Sequence, residues 1–128
     1  MKIENIKFKA KRLDNGEWII GSFVVMNIPA LSKTTIGIVA AGGATLHEID
    51  PSTVCMFTGL KDCKGNEIWE GDIIRNPEFP FEKRMVTWSN NSSCFMPIDE
   101  DGCQDRNFSF LVLFKEWTVV GNKFDKEK

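Results

Sequence analysis

Four carboxylates stand close together near the middle of the chain: Asp62, Glu67, Glu70 and Asp72. Paired carboxylates carry out general acid–base chemistry when a cleft holds them with separated pKa values. On an extended strand Glu70 and Asp72 share one face and Glu67 opposes them. Gly71 interrupts that strand, so the rival expectation is structural: acidic side chains that hydrogen-bond their own turns and face lysines across a sheet. A second set is basic. Lys7, Lys9 and Lys11 alternate with Ile6, Phe8 and Ala10, which places three ammonium groups on one face of a strand. Trp18 lies across the hairpin that follows. A basic stripe beside an aromatic ring suits single-stranded nucleic acid, with lysines on the phosphates and the ring under a base. The rival here is a solvated face that keeps an edge strand from pairing with another chain. More cations, Lys61 and Lys64, lie on the central turn, and Arg75, Lys83 and Arg84 flank a proline-containing stretch.

Other constellations fail on residue type or spacing. A serine or cysteine nucleophile needs a base, and the chain has one histidine, His47. Asp50 and Ser52 follow it, but no nucleophile elbow surrounds them. Cys55 and Cys63 are eight residues apart, and Cys94 and Cys103 nine, whereas a zinc turn brings two thiolates together within a few residues. Asp99-Glu100-Asp101-Gly102 lacks the bidentate Glu that an EF-hand carries six residues beyond its glycine, where Phe108 stands. Ala40 to Ala44 is not followed by the Gly-Lys-Ser/Thr of a phosphate loop. No catalytic residue, metal or cofactor is therefore expected.

Composition narrows the class. Sixteen basic residues against eighteen acidic ones leave a net charge of -2 over 128 residues. This excludes a globally basic nucleic-acid binder and leaves a local patch open. With 42% hydrophobic and 27% charged residues, the chain reads as globular, one domain over 1–128. Its longest apolar stretch, Ile36 to Leu46, is broken by glycines and falls far short of the about twenty residues that span a bilayer. Met1 to Asn5 carries no secretory signal. The expected setting is the cytoplasm, with reduced, unlinked cysteines.

The elements that must position these residues are short strands. Ile6–Lys11 alternates, Asp14-Asn15-Gly16 is a hairpin turn signal, and Trp18–Val25 returns as a strand whose continuous apolar character predicts burial on both faces. Asn27 to Leu46 is expected to be a loop with short strands, one of them at Ile36–Val39. Asp50-Pro51-Ser52-Thr53 reads as a turn. In Thr58 to Ile74, Asp62 and Gly65 shape one turn and Gly71-Asp72 a second, of the kind that turns a corner in a small barrel. Arg75 to Lys83, with Pro77 and Pro80, is expected to be a loop. Arg84–Trp88 and Cys94–Ile98 read as paired strands, Pro97 confining the latter to an edge. Phe108–Phe114 and Glu116–Asn122 complete the set, and Lys123–Lys128 is expected to fray. Six to eight strands with no sustained helix period give a mainly β class, a small antiparallel β-barrel of SH3-like architecture with long loops and little helix.

The run Phe57-Thr58-Gly59-Leu60-Lys61-Asp62-Cys63-Lys64-Gly65-Asn66-Glu67-Ile68-Trp69-Glu70-Gly71-Asp72-Ile73-Ile74 closely resembles the signature of the YopX-like family of phage and prophage proteins. The start, Ile6–Arg12 followed by Asn15-Gly16-Glu17-Trp18, resembles the family's amino-terminal segment. Asp50–Val54 resembles the approach to the signature, and Val119-Val120-Gly121-Asn122 its close. Cys63 and Trp69 depart slightly from it. The resemblance implies a small β-rich protein encoded by a phage or prophage. It brings no established activity, cofactor or catalytic residue to carry over.

The leading expectation is thus a non-enzymatic binding module in a bacterial host cell, with a phage or host protein as partner. Its candidate surface is Lys61, Asp62, Gly65, Glu67, Trp69, Glu70 and Asp72, structural first and binding second. The alternatives are nucleic-acid binding through Lys7, Lys9, Lys11 and Trp18, and a carboxylate- or metal-dependent enzyme. Strand edges and ten phenylalanines also allow a homo-oligomer paired through strands. No membrane partner is expected.

Overall fold

The Asp14-Asn15-Gly16 turn forms as its residue types dictate. Gly16 takes φ +70°, its N–H donates to Arg12 O, and the Asn15 side chain accepts from Glu17 N. The strands on either side, β1 (Phe8–Lys11) and β2 (Trp18–Ile28), pair antiparallel with Lys11 opposite Trp18 and Lys9 opposite Ile20. The computed structural model describes residues 2–40, 42–76, 79–90, 94–99 and 117–125. The remaining strands are β3 (Lys33–Ala40), β4 (Leu46–Glu48), β5 (Cys55–Lys61), β6 (Glu67–Trp69), β7 (Asp72–Asn76), β8 (Phe79–Ser89), β9 (Cys94–Ile98) and β10 (Thr118–Asn122). Helical structure among the described residues is limited to short 3-10 turns. The mainly β class therefore holds. The expected strand Phe108–Phe114 and the turn beyond Asp99 lie outside the described residues.

The chain divides into two compact units, 1–57 and 58–128. In the first, antiparallel strands run in the order β4-β3-β2-β1-β5. Period-2 alternation sorts the side chains onto two faces. Phe8 and Ala10 of β1 share a face with Ile19 and Phe23 of β2, and these pack with Ile38, Ile49, Ile36 and Val54. The Phe8 and Phe23 rings lie 5.6 Å apart. Trp18 and Ile20 point the other way together with Lys9 and Lys11. Ile20 is 45% and Val25 56% exposed, so β2 is not buried on both faces as its apolar run predicted.

The middle of this unit is also more regular than expected. Asn27 to Leu46 is not a loop with short strands. β2 runs on to Ile28, and β3 returns with an unbroken register from Lys33 opposite Ile28 to Ala40 opposite Gly21. Ladder hydrogen bonds, which need no particular side chains, override the loop signals there.

In the second unit β6 pairs with the end of β5, and a four-stranded sheet has the order β10-β7-β8-β9. Its core is Ile68, Ile74, Val86 and Trp117, with Leu60, Phe95 and Val119 against it. Among the described residues β9 pairs with β8 alone, and Pro97 stands opposite Val86. The expected loop from Arg75 to Lys83 is a correction: β7 reaches Asn76 and β8 starts at Phe79. The ladder passes from Lys83 opposite Arg75 to Phe79 opposite Asn76, leaving residues 80–82 unpaired with β7. A bulge of this kind accommodates a proline that has no N–H to donate. Neither sheet closes on itself among the described residues, so the barrel expected from the Gly71-Asp72 bend is replaced by open antiparallel sheets.

Candidate functional site

Asp62 follows β5 and begins the turn to β6. It is buried, and its two oxygens accept four hydrogen bonds. Oδ1 accepts from Lys64 N at 2.9 Å and Asn66 N at 2.8 Å. Oδ2 accepts from Asn66 Nδ2 at 3.1 Å and Val119 N at 3.0 Å. Burial pushes this carboxyl up, but the Val119, Asn66 and Lys64 N–H groups and the Asn66 amide outweigh it and hold the pKa below the usual carboxylate value. The carboxylate thus closes its own turn and ties that turn to β10.

Asp72 does the same one turn later. Gly71, at φ +85°, reverses the chain, and its N–H donates to Val86 O at 2.7 Å. Asp72 Oδ2 then accepts from Trp69 N at 2.8 Å, and Oδ1 accepts from Asn122 Nδ2 at 2.9 Å. Thr58 completes the frame, its hydroxyl donating to Ile68 O at 2.6 Å and accepting from Leu60 N. Asn122 Oδ1 accepts from Phe124 N, its backbone N–H donates to Asp125, and Lys123 N donates to Gly71 O. Residues 123–125 therefore form a fastened turn, not the start of a frayed tail; 126–128 lie outside the described residues.

The seven candidate surface residues accordingly part ways. Asp62, Trp69 and Asp72 are buried, Glu67 and Glu70 half-buried, and Lys61 and Gly65 exposed. The four acidic side chains do not converge. Asp62 and Asp72 each face backbone N–H groups and the β10 segment, and no group of three metal-ligating side chains occurs among the described residues. Ser52 Oγ donates to Asp50 Oδ1 at 2.8 Å, which caps the 3-10 turn Pro51–Thr53. Cys55, Cys63 and Cys94 are unlinked; Cys103 lies outside the described residues.

The lysine stripe is brought together as the alternation predicted. Lys9 Nζ and Lys11 Nζ lie over the Trp18 ring, 4.8 and 5.4 Å from its centroid. Lys7 Nζ lies 4.7 Å from the centroid of Phe57. Attraction between an ammonium and a ring face orients both. The rival reading of this stripe needs revision, because β1 lies between β2 and β5 and is not an edge strand. An interior strand needs no lysines to deter added strands.

Beside Lys7 an open groove of about 580 Å³ runs along the same face, between the 3-10 turn Ile3–Asn5 and the Gly42-Gly43 bend, with Ile6, Ile20 and Ser22 in its wall. Sequence reasoning missed this groove and the pairing of Lys7 with Phe57. The period-2 reading of β2, which puts Trp18, Ile20 and Ser22 on one face, was the signal available. It missed Asn122 as well, whose role needs a partner on a distant strand. No helix among the described residues is long and apolar enough to cross a membrane.

Comparison with known proteins agrees with the residue-level reading. No curated protein matches the chain. A family model described as YopX protein matches residues 7–127, a span that holds the lysine stripe, both signature aspartates and Asn122. On that match the chain belongs to the YopX family.

Proposed function

We propose that this protein is a non-enzymatic binding module, encoded by a phage or prophage and working inside a bacterial cell, whose ligand-binding surface is the open groove of the first unit lined by Ile6, Ile20 and Ser22. One observation carries the reading. The carboxylates that could have been catalytic are hydrogen-bond acceptors for the chain itself: Asp62 for four donors and Asp72 for Trp69 N and Asn122 Nδ2. A general acid or base must exchange its proton with a substrate, and a carboxylate engaged by backbone N–H groups is held ionised and facing inward. Ile6, Ile20 and Ser22 are instead exposed in the wall of the groove. A phage or host protein as partner is what the resemblance to phage and prophage proteins implies.

Two measurements test this. A photo-crosslinking amino acid at position 22 is expected to give macromolecular adducts in the host cell, while the same group at exposed Lys64 gives none. A catalytic turnover of the purified protein that disappears in Glu67→Gln or Glu70→Gln, while the variant keeps the parent's circular dichroism, overturns the reading.

A further inference from the structure

We infer that a second copy of this chain pairs with the free edge of β2, strand to strand and antiparallel, about a twofold axis at Val25. The pairing stands on the sheet of the first unit and is independent of the groove reading.

The length of the edge comes first. β2 runs from Trp18 to Ile28. On one side β3 pairs with it from Gly21 to Ile28, whereas on the other β1 covers only Trp18 to Gly21. Among the described residues no strand continues β1 along residues 22–28. Arg12 N donates to Glu17 O, which sets the alternation of the ladder: Glu17, Ile19 and Gly21 turn their backbone groups toward β1. Phe23, Val25 and Asn27 continue that set and present their N–H and C=O groups along an edge with no strand beside it. Such a row is a ready template for an added strand.

This edge also lacks protection. Edges are ordinarily blunted by charge, proline, a bulge or a short strand. Residues 18–32 include no charged side chain. The register of β2 against β3 is unbroken, and Pro29 belongs to the 3-10 turn beyond the strand. The far side of the same hairpin is guarded: β4 is three residues long, and Lys33 Nζ lies 3.8 Å from Glu48 Oε1. Val25 is 56% and Met26 43% exposed, so the free edge of β2 offers apolar surface as well as backbone groups.

Self-complementarity names the occupant. With the axis at Val25, that residue faces the partner's Val25, Phe23 faces the partner's Asn27, and Val24 faces the partner's Met26. The outward N–H and C=O groups of Phe23, Val25 and Asn27 are then all paired, two bonds for each opposed pair. Apolar pairs close across the seam on both faces of the sheet, and no charge is stranded. Electrostatics do not oppose a second copy, since the first unit carries six Lys and Arg against five Asp and Glu. A charged peptide would find no counter-charge along this edge. Ser22 faces the partner's Ile28 and also lines the groove. The second copy therefore extends the groove wall, a consequence that rests on the groove being the binding surface.

The test is sedimentation of the full chain from about 10 to 500 µM. A monomer–dimer equilibrium with Kd of about 10–100 µM is expected, because a single seven-residue seam is smaller than a standard interface. Val25→Lys and Val25→Glu, made at an exposed position, should each weaken the dimer at least about tenfold, since like charges then meet across the axis. An equimolar mixture of the two should dimerise within about threefold of the parent. Amide hydrogen exchange gives a second readout. The N–H groups of Phe23, Val25 and Asn27 should slow as concentration rises, while those of Val24 and Met26, already held by β3, should not change. If either variant fails to fold by circular dichroism, the exchange rates of the parent decide. A chain that stays monomeric at 500 µM overturns the inference and leaves the groove reading intact. So does a dimer whose Phe23, Val25 and Asn27 amides exchange at the monomer's rate, or one that the folded Lys and Glu variants together fail to restore. A dimer that forms as expected while position 22 gives no adduct in the host cell overturns the groove reading alone.

Discussion

Asn122 donates its side-chain amide to the Asp72 carboxylate at 2.9 Å across fifty residues of chain. Both groups are buried, and the second Asp72 oxygen accepts from Trp69 N at 2.8 Å. The signature and the closing segment of the chain are therefore two halves of one hydrogen-bonded frame. Asp62 and Val119 make a second link of the same kind.

Asp72→Ala removes the acceptor for Trp69 N and for the Asn122 amide. A destabilisation of about 2–4 kcal/mol is expected, because each stranded buried donor costs about 1–3 kcal/mol. Asn122→Ala should cost less. In urea denaturation, the double mutant should lose less than the sum of the two single losses, by at least about 0.5 kcal/mol. Simple additivity would contradict the link.

Asp62 sets an acid dependence. Its folded pKa lies below the unfolded value, so its contribution to stability is complete above the unfolded value of about 3.9 and is lost as pH falls through the folded pKa. Asp14, held down by the Arg12 guanidinium, and Asp50, held down by Ser52, act in the same direction. Stability is expected to fall below about pH 4. Asp62→Asn should flatten that fall and also lower stability at pH 7. An unchanged acid limb in the pH dependence of the denaturation midpoint would rule this out.

Gly71→Ala should cost about 1–2 kcal/mol, the penalty of a left-handed conformation for a residue with a Cβ. An added Cβ also lies 3.1 Å from Lys123 Cε. That contact is with a flexible side chain, so combining the change with Lys123→Ala should recover only a small part of the loss. Thermal melts of the two variants compare directly.

Gly21→Ala probes the sheet beneath the lysine face. A Cβ there would overlap Val39 O, a backbone atom in the ladder partner, so β2 and β3 must part. A loss of about 3 kcal/mol is expected, with faster amide hydrogen exchange along β2 and β3. Exchange as slow as in the parent would show that the strands adjust without separating.

Much of this was legible in the residues. Asn15-Gly16 marked the first hairpin, and the alternation Lys7-Phe8-Lys9-Ala10-Lys11 placed the lysines on one face with Trp18 across the hairpin. Arg84–Trp88 and Cys94–Ile98 read as partners, and they pair. These signals act over a few residues, where steric limits on φ and the two-residue period of a strand are enough. The misreadings have a common cause. The long β2–β3 hairpin and the start of β8 carry loop-like residues whose strand conformation comes from a partner strand's hydrogen bonds.

The amino-acid pattern alone settled the mainly β class, the turns and the sidedness of β1, because each depends on near neighbours. Strand order settled the rest. It made β1 an interior strand, so its lysines could not be edge protection. It also carried Val119 and Asn122 to Asp62 and Asp72, so that these two carboxylates accept hydrogen bonds from the chain itself. Partners fifty and more residues away leave no local trace, since a carboxylate's role is set by which donors the fold brings to it.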